Sequence, residues 1–263
     1  MSAVSKSSIF PLRPNPGRAF GGIWRLTWGR FRTTGQLLLL LGMITLLILL
    51  SLVRIRNGQE EDFVPWTADF YLGFIVPVMA FLAGAAAIRD EMKSSTTDYV
   101  LTRPVRRVHL VGFKFLSHLM CIQLFYLVAL GAMLGFAMVI HIPDIVSAAP
   151  RLLLAQAIAL TSFSARGFLF GALTSRYLVL GIIYAGTVEI AIGHIPTQLN
   201  HLSMSHQLSA LLQPLGAEGM GFVTSTTSAW AIVGLLLGYS AAFVALCAIV
   251  FSQREMVGAG RSS

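Results

Sequence analysis

Between Leu37 and Val53 the chain runs Leu-Leu-Leu-Leu-Leu-Gly-Met-Ile-Thr-Leu-Leu-Ile-Leu-Leu-Ser-Leu-Val without one charge. Five further runs of this kind follow: Ala68–Ile88, Phe115–Ile140, Leu152–Leu173, Tyr177–Ile195 and Trp230–Phe251. Each is close to the ~20 residues needed to cross a bilayer core, and the third is long enough to tilt or project beyond it. With 56% hydrophobic and 11% charged residues and a mean hydropathy of +0.75, a water-soluble fold would be left with apolar surface it could not cover. The runs are continuous and not alternating, so they predict helices and not a lipid-facing barrel. Only a helix satisfies its own backbone within such a segment. The expected fold class is therefore all-α membrane protein with six transmembrane helices. One membrane domain spans 37–253, preceded by a basic N-terminal segment (1–36) and followed by a tail (254–263). Ser51-Leu-Val-Arg-Ile-Arg56 offers no small-residue cleavage site, so the first run reads as a retained span and not a signal peptide.

The formal charge of +8 flanks the spans. With the N-terminus inside, the inner segments carry Lys6 through Arg32, Arg89 through Lys114, Arg176, Arg254 and Arg261, while the outer ones carry only Arg54, Arg56 and Arg151. This asymmetry places both termini in the cytoplasm of a cell membrane and explains the basicity without nucleic acid. Cys121 and Cys247 both fall inside spans, with neither disulfide-framework nor metal-ligand spacing.

Ala19–Thr33 has helical periodicity. Phe20, Ile23, Trp24, Trp28 and Phe31 share one face, and Arg18, Arg25 and Arg32 share the other. This predicts an amphipathic elbow helix on the inner membrane surface, in contact with lipid, although Gly21, Gly22 and Gly29 weaken it. The weakly charged segment 196–228 contains Leu208, Leu211, Leu212 and Leu215. It reads either as short helices dipping into the outer leaflet or as a surface loop.

The chain has no G-x-x-x-x-G-K-[ST] phosphate loop and no H-E-x-x-H. Ser162 and Ser164 lie on the fourth span without a G-x-S-x-G context, which counts against an intramembrane hydrolase. His194, His201 and His206 cluster with Met204, but the last two histidines are five apart and do not align on a helix, so no metal ligands are assigned. Arg166 and Glu189 are charges inside apolar runs. Counted from a turn near Arg176, they lie about 15 Å and about 20 Å along neighbouring helices at ~1.5 Å per residue. A long Arg side chain spans the difference. Either they line a translocation path or they form a salt bridge that locks the hairpin.

The densest mixed charge lies at Arg89–Lys114. Ser95-Thr-Thr-Asp98 is a helix-start pattern, Tyr99-Val-Leu101 follows, and Pro104 biases Arg103 away from helix geometry. The expected element is a short helix parallel to the membrane, ended by Pro104, with Arg106 and Arg107 exposed to anionic headgroups or a partner's carboxylates.

Glu91, Ser95-Thr96-Thr97, Tyr99-Val-Leu-Thr102, Arg103-Pro-Val-Arg-Arg107 and Lys114 together resemble the signature of ABC type-2 permeases, the membrane subunits of ATP-driven exporters. In that pattern a Gly precedes the hydroxyl and a Ser precedes the Arg; here they are Ser or Thr, and Arg106. Glu189, Ile195-Pro, Leu202-Ser203 and His206 resemble the family's segment before its outer loop. The resemblance implies a permease of a bacterial cell membrane that pairs with a second permease chain, as homodimer or heterodimer, and binds two ABC ATPase subunits. The permease itself would be no enzyme and would hold no cofactor, ATP and Mg²⁺ belonging to the partner. The loop after the second span would be a coupling helix, its role falling on Glu91, Thr97, Asp98, Tyr99, Arg103, Pro104, Arg106 and Arg107. The implied activity is export of a hydrophobic or amphiphilic substrate. Two alternatives stand beside it: an ABC-linked subunit for metalloprotein maturation, suggested by the histidine cluster, and an intramembrane hydrolase.

Overall fold

A computed structural model of the protein describes residues 16–56, 62–93, 107–192, 198–215 and 228–259, and every described element is helical. In chain order these are α1 (Pro16–Phe31), α2 (Thr34–Arg56), α3 (Phe63–Trp66), α4 (Val76–Lys93), α5 (Arg107–Val139), α6 (Ile145–Leu173), α7 (Tyr177–Tyr184), α8 (Met204–Leu212) and α9 (Ala229–Ala259). A wide, π-helical stretch, Thr67–Ile75, joins α3 to α4 without a break. Pro77 stands two residues beyond its end, after Val76. Proline supplies no N–H and its ring crowds the carbonyl four residues back, and a widened turn just before it accommodates both.

Five segments are long and apolar enough to cross a membrane: Thr34–Arg56, Phe63–Asp90, His109–Val139, Ile145–Leu173 and Ala229–Gln253. These are the first, second, third, fourth and sixth of the expected runs, each beginning earlier than expected, while the third ends at Val139 and the fourth at Leu173. The fifth is different. Among the described residues its apolar helix covers Tyr177–Ala191, about 22 Å at ~1.5 Å per residue, and residues 193–195 of the expected run lie outside them. Its second half, Ala185–Ile192, is π-helical.

α6 is the central helix. From Ala155 to Ala172 it is almost wholly buried, and α4 lies against it with backbones nearly touching. A Cβ on Gly84 would stand 2.5 Å from the Ser164 carbonyl oxygen, and one on Gly171 would stand 2.5 Å from that of Ala85. Gly167 likewise faces the Phe81 carbonyl. Small residues permit this approach, which maximises dispersion contact where lipid supplies no hydrophobic drive between helices. The register (Ser164 by Gly84, Gly171 by Ala85 and Ile88) makes α4 and α6 parallel. Their C-termini therefore share one end of the bundle, the near end, where α4 leads out toward segment 94–106. Residues 198–215 follow α7 to the far end.

α1 packs on the N-terminal half of α5. Phe20 meets Phe113 edge-on at 5.8 Å, and Phe31 meets His118 at 5.7 Å and Phe125 at 5.9 Å between ring centroids. Trp24 and Trp28 stack on each other at 5.8 Å. Arg25 and Arg32 are exposed. Two of the four aromatics expected to face lipid thus bury against protein. α2 buries Met43, Leu47 and Ser51 against the bundle and leaves Leu38, Leu41 and Val53 62%, 60% and 57% exposed, a surface suited to lipid.

Candidate functional site

The buried charges at Arg166 and Glu189 meet. Arg166 Nη1 donates to Glu189 Oε1 in an ion pair whose side chains are 8% and 6% exposed. Arg166 sits in the most buried stretch of α6. Its guanidinium carbon lies 4.5 Å from the ring centre of Phe163, 5.0 Å from that of Tyr184 and 5.7 Å from that of Phe81. Three π faces surround the cation and attract it. Among the described residues Arg166 Nε has no hydrogen-bond acceptor.

Glu189 lies in the π-helical stretch of the fifth apolar segment. The protein-facing side of that segment includes Tyr184, Ala185 and Val188, while Ile182, Ile183 and Ile190 face outward. The second carboxylate oxygen, Oε2, accepts from Ser203 Oγ at 2.9 Å and from the Ser205 backbone N–H at 2.8 Å. Ser203 is also the N-cap of α8, accepting from the His206 N–H at 3.1 Å. The carboxylate therefore lies at the positive end of α8 and satisfies one of its free N–H groups. One buried site joins α4 through Phe81, α6 through Arg166 and Phe163, the fifth segment through Tyr184 and Glu189, and α8 through Ser203 and Ser205.

α8 gives the segment after the fifth span its short helix. Met204, Leu208, Leu211 and Leu212 are buried, so the leucines turn into the bundle. Beneath this end, Tyr71 Oη donates to Gln156 Oε1 at 2.8 Å, tying the π-helical stretch Thr67–Ile75 to α6. Gln207 Nε2 and His201 Nδ1 are 2.9 Å apart. Tyr239 Oη donates to the His201 carbonyl at 3.2 Å.

The remaining residues singled out in the sequence divide clearly. Ser162 Oγ donates to the Leu236 carbonyl at 3.4 Å and accepts from Ser240 Oγ at 3.2 Å. Ser164 Oγ donates to the Ala80 carbonyl at 3.3 Å. Both hydroxyls cross-link helices, and neither has a histidine among these partners. His194 lies outside the described residues, and among those described no group of three His, Cys, Asp or Glu converges. Thr97, Asp98, Tyr99, Arg103, Pro104 and Arg106 also lie outside them; Glu91 falls in the last turn of α4 and Arg107 opens α5. Close to Glu91, Asp90 pairs with Arg30 of α1 at 3.7 Å. The aromatic box of Phe81, Phe163 and Tyr184 and the Ser205 N–H carry no signal in the sequence, and Ser203 is singled out there only by the family resemblance that also includes Glu189. The hydroxyl at Ser203, three residues before His206, is the trace of a helix start that reading along the chain can find.

A family model described as ABC-2 family transporter protein matches residues 55–256. The match begins at the end of α2 and takes in the charged segment after α4, the Arg166–Glu189 site and most of α9. The chain belongs to the ABC-2 transporter family. No curated protein matches it. As an ABC-2 family member the chain is a permease component of an ABC transporter, a multi-pass membrane protein of a family that generally works with an ABC ATPase.

Proposed function

We propose that this permease is the membrane subunit of an exporter that moves a hydrophobic or amphiphilic substrate, driven by ATP hydrolysed on two copies of a separate subunit. The observation that carries this reading is the family match over residues 55–256. The near end of the bundle is the cytoplasmic end and both termini lie there. The ATPase docks on the segment between α4 and α5, with Glu91, Thr97, Asp98, Tyr99, Arg103, Pro104, Arg106 and Arg107 as the contact residues. A second permease chain completes the pathway.

The packing around the docking segment supports this assignment. α4 enters the segment and α5 leaves it, and α1 touches both, through Arg30 to Asp90 and through Phe20 to Phe113. A push on the segment is therefore received by three helices together. From α4 it passes to α6 through the glycine contacts, where neither backbone has room to slip.

Affinity purification from the native membrane should bring down a nucleotide-binding subunit. In the reconstituted complex, Asp98→Arg with Tyr99→Ala should leave ATP hydrolysis running while transport falls at least tenfold. Full transport in that variant would remove the docking role from this segment, and recovery of the permease without any ATPase would overturn the exporter reading.

A further inference from the structure

The Arg166–Glu189 pair does more than neutralise two charges. If neutralisation were the whole role, both carboxylate oxygens would be available to the guanidinium. Instead Oε1 takes Arg166 and Oε2 takes Ser203 Oγ and the Ser205 N–H. The carboxylate is divided between a membrane-spanning helix and the first turn of a short helix at the far end. We propose that Glu189, held by Arg166, is a latch that keeps α8 seated on the far end of the bundle, and that displacement of α6 against the fifth apolar segment releases it.

Three observations carry this. First, α8 is nine residues long, too short to be stable without its neighbours, so its position depends on what fixes it. Its first turn is fixed by Ser203 and Glu189. Second, the helix bearing Arg166 is tied more closely to α4 than to α7, which it meets through Phe170 against Tyr184 at 5.4 Å between ring centroids. α4 and α6 meet backbone to backbone at Gly84, Gly167 and Gly171, whereas the fifth segment meets this pair through side chains, with the Phe81 ring lodged against Gly181. Sliding therefore occurs between α6 and the fifth segment, the boundary the ion pair bridges. Third, the pair is directional and buried. A shift of one to two ångströms takes a charge-assisted hydrogen bond out of range, and beyond that range Glu189 no longer gains from staying buried.

That ATP drives the displacement rests on the proposed function; the latch itself does not, and its test needs no nucleotide. In full-length protein with Cys121→Ala, Ala210→Cys places a thiol on a buried position of α8. Native Cys247, buried on α9, remains as an internal reporter of bundle integrity. The protein is held in lipid nanodiscs, where both faces are open, and labelled with a membrane-impermeant maleimide. The thiol at 210 should label slowly in this background and at least tenfold faster in Glu189→Ala and in Arg166→Met, with Cys247 still protected. An unchanged rate at 210 in both variants overturns the latch and leaves the transport reading standing. Should a charge variant expose Cys247 as well, Ser203→Ala decides. With Cys247 protected, a rise of threefold or more at 210 supports the latch, and no rise overturns it.

Discussion

Gly84 on α4 stands against Ser164 on α6 so closely that a methyl group on Gly84 would lie 2.5 Å from the Ser164 carbonyl oxygen and 3.0 Å from its Cα. Both obstacles are backbone, so the neighbour cannot rotate away. The contact lies two residues along α6 from Arg166 of the buried ion pair, and it makes α4 and α6 one mechanical unit.

Gly84→Ala should therefore destabilise the protein, although alanine is the better helix former. Overpacking of this kind costs roughly 1–3 kcal/mol, against at most about 1 kcal/mol returned by helix propensity. Gly42 on α2 has nothing within 4 Å of an added Cβ, so Gly42→Ala should be neutral or slightly stabilising. Thermal unfolding of the two variants in the same detergent checks this. Equal midpoints would mean that α4 and α6 have room to separate.

The buried pair should behave as a unit. Arg166→Met leaves the Glu189 carboxylate buried with its cation gone, which costs about 3–5 kcal/mol. Adding Glu189→Gln removes the stranded charge while keeping an oxygen for the Ser205 N–H, so the double variant should unfold at a higher temperature than the single. A charge swap, Arg166→Glu with Glu189→Arg, should restore little, because an arginine at 189 offers no acceptor to Ser203 or Ser205. A swap that recovered full stability would show that the bonds to α8 contribute nothing.

α1 should be held by its aromatic face more than by its charge. The Arg30–Asp90 pair has side chains 52% and 59% exposed, and exposed pairs of this kind contribute between nothing and about 1 kcal/mol. Phe31 is half-buried against His118 and Phe125. Aromatic pairs add about 0.5–1.5 kcal/mol beyond the area they bury. Phe31→Ala should accordingly lower the unfolding midpoint and speed proteolysis within α1, while Arg30→Ala changes either only slightly. The reverse order would make the ion pair the anchor.

Much of the architecture is legible along the chain. The runs at Leu37–Val53 and Trp230–Phe251 became α2 and α9 because burial in lipid is decided residue by residue, with no need to know the neighbouring helix. The motif from Glu91 to Lys114 pointed to the family that the match over 55–256 establishes. The helical face of Phe20, Trp24, Trp28 and Phe31 was equally readable, but periodicity defines a face without naming what covers it. Phe20 and Phe31 turned out to be covered by α5. The fifth segment shows the same limit. Its composition suits a full span, yet its hydrogen-bond register widens at Ala185–Ile192, and no hydropathy scale reads register.

By itself the sequence determined that this protein lives in a membrane, roughly where its apolar helices lie, and which family it resembles, although α6 begins at Ile145 and not at Leu152. Those properties follow from local composition and local motifs. Only the tertiary structure decided that Glu189 would hold Arg166 with one oxygen and the start of α8 with the other, and that Gly84, Gly167 and Gly171 would let α4 and α6 touch. These partners lie fourteen to more than eighty positions apart. What brings them together is the parallel register of two helices and the reversal of chain after the fifth segment, which depend on packing in three dimensions.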